Sequence, residues 1–61
     1  MSKEELLKKY PTPLVREVGF VYEVFSFIPE RFRIEMVVKH TGISPTLAQE
    51  ALSDYQAALA N

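Results

Sequence analysis

Few side chains in this sequence are equipped for bond-making chemistry. The 61 residues include one histidine, His40, and no cysteine. Without cysteine there is no disulfide staple, no thiolate metal site and no cysteine nucleophile. Without a second imidazole, His40 has no histidine partner with which to build a zinc site. Ser44 and Asp54 complete the candidates, but no nucleophile–base spacing, phosphate loop or metal-ligand pattern joins them. A chain this short also has little material for a closed pocket. The expectation is a protein that is not an enzyme, with no cofactor, metal or small-molecule substrate.

The sequence is better supplied for recognition. Residues 39–55, KHTGISPTLAQEALSDY, set the hydrogen-bonding side chains of Ser44, Thr46, Gln49 and Ser53 beside carboxylates at Glu50 and Asp54. Cations stand just before them at Arg31, Arg33, Lys39 and His40, and earlier at Lys8, Lys9 and Arg16. Between these groups lie five aromatics: Phe20, Tyr22, Phe25, Phe27 and Phe32. The net charge is −1, so no global field draws the chain to nucleic acid or acidic membranes; a local patch would have to do so.

These groups need elements to position them. At 48% hydrophobic and 25% charged, the chain has the composition of one folded domain spanning residues 1–61 and not of a disordered tail. Ser2 with Glu5 fits a capping box opening a short first helix, with Lys8 and Lys9 at its negative end. A frayed turn is the competing reading. Pro11 disfavours helix at Tyr10. Thr12 then suits an N-cap, with Pro13 in the first helical position.

The stretch that follows, LVREVGFVYEVFSFI, is ambiguous. Leu14, Val18, Val21, Phe25 and Ile28 recur at helical spacing, while the crowding of Val, Phe and Tyr also suits a half-buried strand over residues 18–28. A lone strand would lack a partner, so helix is the expectation. Pro29 opens a third helix with Phe32, Met36 and either Val37 or Val38 inward. Gly42 supplies a left-handed stop, and Ser44–Pro45 starts a fourth helix that buries Leu47, Ala48, Ala51, Leu52, Tyr55 and Leu59. The fold class expected is all-α, a small bundle of three to four helices.

From Ile34 to Ser53 the chain resembles the helix-turn-helix superfamily of DNA-binding domains. The pattern is a small apolar residue at Val38, glycine at Gly42, an aliphatic at Ile43, a cap at Ser44, and small residues at Ala48 and Ala51. Glycine allows the sharp turn, the aliphatic plugs the gap between helices, and small residues let the helices cross closely. The resemblance implies a helix-turn-helix over about residues 30–59. It implies DNA contact from Ser44, Thr46, Gln49 and Ser53, with Arg31, Arg33, Lys39 and His40 as the phosphate clamp. Gln49 is the residue suited to an adenine edge.

Two functions follow. One is a small DNA-binding transcriptional regulator acting as a homodimer. The other is a protein-interaction adaptor or inhibitor on the same scaffold, binding its partner through the aromatic surface and the acidic last helix, because Glu50 and Asp54 would repel phosphate. In both, Phe20, Tyr22, Phe25 and Phe27 form the protein interface, since four short helices cannot cover an aromatic helix on every side. No apolar run reaches membrane-spanning length, and MSKEELLKKY lacks a signal core, so a cytoplasmic location is expected.

Overall fold

The computed structural model describes residues 1–60. They form four helices in sequence: α1 (Lys3–Lys9), α2 (Thr12–Val24), α3 (Glu30–Thr41) and α4 (Pro45–Ala60). No strand occurs among the described residues, so the ambiguous stretch is helical up to Val24. The small all-α bundle is what the chain forms.

Local signals explain most of the boundaries. Ser2 Oγ accepts from the Glu5 N–H at 3.2 Å, and Glu5 Oε1 accepts from the Ser2 N–H at 3.1 Å. This reciprocal pair satisfies donors that the first turn of α1 leaves orphaned. α3 ends at Gly42, whose φ of 77° lies in the left-handed region, and its N–H closes on the Val38 carbonyl at 2.8 Å. Ser44 Oγ accepts the Leu47 N–H at 3.2 Å and so caps α4.

Two boundaries differ from expectation. α2 begins at Thr12, with Pro11 as its cap residue, one position earlier than the sequence signal suggests. It also stops at Val24 and does not run to Ile28. Phe25 to Ile28 form a turn closed by an Ile28 N–H to Phe25 carbonyl bond of 3.2 Å. Pro29 keeps the helix from running through this turn, because it drives Ile28 away from helical geometry and has no N–H to offer the Phe25 carbonyl. Arg33 then holds the turn. Its Nε donates to the Phe25 carbonyl at 3.2 Å and its Nη2 to the Ser26 carbonyl.

The core is built from Leu6, Tyr10, Leu14, Val18, Val21, Val37, Ala48, Ala51 and Leu52. Every helix contributes, and α2 supplies one continuous stripe of three. Among the described residues no buried side-chain nitrogen or oxygen lacks a partner. Three residues expected to be inside are not. Phe32 is 42% exposed, Leu47 37% and Leu59 56%. Leu47 precedes the buried Ala48–Ala51–Leu52 stripe and points off its flank, while Leu59 lies in the last turn of α4 and Phe32 in the first turn of α3. The accessible surface, 4104 Å², is close to the ~4,000 Å² expected for a folded chain of this size. The exposed aromatics therefore do not reflect loose packing.

A chain this small has a total stability of roughly 3–9 kcal/mol. Leu52 is fully buried, and Leu52→Ala should cost ~2–5 kcal/mol, a large share of that total, read as a lower urea midpoint. At Gly42 an added Cβ meets nothing within 4 Å, so Gly42→Ala carries only the left-handed backbone penalty. A loss of ~1–2 kcal/mol by the same measurement is expected there.

Candidate functional site

The polar residues that the sequence singles out lie at the start and on the outer side of α4. Ser44, Thr46, Gln49 and Ser53 are all exposed. Thr46, Gln49 and Ser53 follow helical spacing and share one outer stripe. The cations of α3 divide into two kinds. Arg31 and Lys39 are exposed, Arg31 with its guanidinium 5.0 Å from the Phe32 ring centroid. Arg33 instead holds the turn after α2, with its guanidinium 4.9 Å from the centre of the Tyr22 ring. His40 Nδ1 lies 3.1 Å from Glu17 Oε2 and ties α3 to α2. Two of the four cations expected to clamp phosphate thus have partners within the fold.

The acidic residues of α4 also have partners. Lys9 Nζ lies 2.9 Å from Glu50 Oε1 and 2.8 Å from Asp54 Oδ2. The Tyr10 hydroxyl lies 2.6 Å from the same Asp54 oxygen and 3.2 Å from Glu50 Oε1. Leu6 and Tyr10 pack into the core one turn apart, which carries the end of α1 onto α4 and delivers Lys9 to both carboxylates. Hydrogen bonds from Lys9 hold both carboxyls below the usual range. Asp54, and then Glu50, raises the Lys9 amine. Burial, followed by the bond to Asp54, raises the Tyr10 hydroxyl. Sequence reading missed this network because its members lie 40 or more positions apart. Only the one-turn spacing of Glu50 and Asp54 hinted at a shared partner.

The expected protein interface also divides. Phe20 is 50% exposed and Phe27 84%, while Phe25 is half-buried with its ring edge-on to Phe20 at 6.0 Å. Tyr22 faces α4. Its hydroxyl donates to Gln56 Oε1 at 3.1 Å and its ring lies 5.5 Å from that of Tyr55. Gly19 admits this packing, since a Cβ there would stand 3.1 Å from the Tyr55 hydroxyl. Val24 and Phe32, which the sequence did not assign to the interface, extend the exposed apolar face. Beside it lies a groove of about 410 Å³ lined by Phe25, Ile28, Phe32, Glu35, Met36 and Lys39.

For chemistry the arrangement offers little. Among the described residues no cluster of three metal-ligating side chains exists. Ser44 and Asp54 are about 15 Å apart along α4 by helical rise, too far to act on one bond.

The network of α1 and α4 gives stability a pH signature. Carboxylates lowered by folding stabilise the fold above their unfolded pKa and lose that contribution as pH falls through the folded value. Lys9 and Tyr10 are raised, so their contribution is present below about pH 10 and is lost only at higher pH. The melting temperature should form a plateau that declines below about pH 4. Asp54→Asn should lower the plateau and flatten the acid limb.

Comparison of the chain with protein-family models, curated protein sequences and solved structures finds no match, so the functional reading rests on its own residues.

Proposed function

We propose that this chain is a non-enzymatic protein-interaction module whose working surface is the aromatic face at the α2–α3 end of the bundle. The observation that carries the reading is Phe27, 84% exposed at the tip of a tight turn. Tight turns favour Gly, Asn, Asp and Ser on conformational grounds, and a phenyl ring there gains nothing for the fold. Phe20, Val24 and Phe32 are also exposed on α2 and α3, and large apolar side chains left on a surface mark interaction sites. The acidic side of α4 is not the partner surface in this reading, because Lys9 and Tyr10 already engage Glu50 and Asp54.

DNA binding through α4 is the second reading. Its support is the same Lys9, which offsets the two carboxylates that would repel phosphate, and the exposed stripe of Thr46, Gln49 and Ser53. Against it stands the small number of exposed cations on α3, since phosphate neutralisation dominates DNA affinity.

Placing photo-reactive benzoyl-phenylalanine at position 27 and irradiating the full chain in an extract of its source cells distinguishes the readings. Adducts to polypeptide are expected from position 27 and not from position 46. If DNA is the partner, position 46 should crosslink to duplex. A titration of random duplex at low salt should then show binding whose salt slope falls by about one unit for Arg31→Ala. No adduct at position 27 overturns the interaction reading.

A further inference from the structure

We propose that the occupant of the aromatic face is a second copy of this chain, with Phe27 of each copy seated in the groove of the other between Phe25, Ile28, Phe32 and Met36. The inference rests on the reading of this face as the interaction surface, and it names the partner.

The turn from Phe25 to Ile28 is presented as a rigid knob. Its closing hydrogen bond and the two from Arg33 satisfy the Phe25 and Ser26 carbonyls. Arg33 is itself stacked on Tyr22, which is tied to α4. A turn backbone held this way needs no ordering when Phe27 docks, so only the phenyl side chain loses freedom, and that lowers the cost of association. Phe27 makes scant use of its own chain, as its exposure shows.

The groove is the hole we assign to Phe27. Phe32, Glu35, Met36 and Lys39 share one face of α3, while Phe25 and Ile28 form the wall on the turn side. The groove is open to solvent, and its volume of about 410 Å³ leaves room for a phenyl ring to lie along it.

Knob and hole are neighbours, because the same turn contributes to both. That adjacency selects the partner. Under a two-fold axis, each knob meets the other copy's hole in one closed, self-complementary interface. The rim carries both signs, with Glu30 and Glu35 against Arg31 and Lys39, as a surface that faces its own copy requires. Phe20, Val24, Phe27 and Phe32 together expose roughly 450 Å² per copy on the usual size of such side chains. The ~900 Å² of apolar surface from two copies falls short of the ~1,200 Å² at which stable interfaces begin, before the rim is added. A weak, reversible dimer in the micromolar range or above is the strength to look for.

The test is sedimentation of the full chain from about 1 µM to 1 mM, a range chosen to bracket that strength. A reversible monomer–dimer equilibrium is expected. Phe27→Ser should weaken it roughly tenfold or more, as loss of an aromatic anchor does. Its circular-dichroism melt should match the parent because Phe27 is so exposed. In a mixed sample of labelled and unlabelled chains, isotope-filtered NOEs should connect the Phe27 ring to the Met36 methyl group across copies. A monomer at the highest concentration overturns the inference, as does a dimer that Phe27→Ser leaves intact. The position-27 crosslinker separates this failure from that of the broader reading. An adduct of the chain with itself supports the second copy. An adduct only with a different polypeptide overturns the second copy and leaves the interaction reading standing, and no polypeptide adduct overturns both.

Discussion

Too little chain is present to cover a helix that is apolar on nearly every side, and the rest of the architecture follows from that constraint. α2 buries Leu14, Val18 and Val21 completely, because α1, α3 and α4 all meet on that stripe. The adjoining flank, with Phe20 and Val24, is left about half exposed. A larger domain would bring a fifth element over it. Here the shortage is met in two ways. The covered side is closed by charged and polar bonds at its edge, and the uncovered side is the surface we propose for a partner.

The edge closure is the bond between α1 and α4. α1 has seven residues, far below the length at which an isolated helix is stable in water. Leu6 and Tyr10 anchor it by burial, and Lys9 adds two ion pairs at the rim. Lys9 and Glu50 are nearly half exposed, so solvent screens their attraction and the hydrophobic anchor contributes more. The network matters chiefly for what it removes from the surface. A helix that looks acidic in sequence presents carboxylates already paired with a cation, which weakens the case for a basic protein partner as well as the case against DNA.

How much of this was legible beforehand depended on range. Signals within a few residues came through: the Ser2–Glu5 box, the Gly42 stop, the Ser44–Pro45 start, and the Leu14–Val18–Val21 stripe. Readings of burial failed wherever they assumed that an apolar residue at helical spacing has something to pack against. Leu47, Leu59 and Phe32 keep the spacing but lie near the ends of their helices, where neighbours cover them only in part. Long-range pairing could not be read at all. Nothing near Arg33 in the sequence says that it holds the preceding turn, or that Lys9 reaches across to Glu50 and Asp54. Tyr22 looked like a surface aromatic because its partners, Tyr55 and Gln56, lie more than thirty positions away.

The same distances set the functional layout. Turn-side residues Phe25, Phe27 and Phe32 lie at one end of α3, and Gly42, Ser44 and the start of α4 at the other. α3 has twelve residues, so about 18 Å of helix separates them. His40 and Glu17 hold the far end together and Arg33 holds the near one, so neither end depends on the other for its shape. Pairing of two copies through the aromatic end would leave the exposed stripe of Thr46, Gln49 and Ser53 uncovered. Self-association and recognition by α4 are therefore compatible on one chain, and the aromatic end carries the stronger physical argument because a turn has no conformational reason to display a phenyl ring.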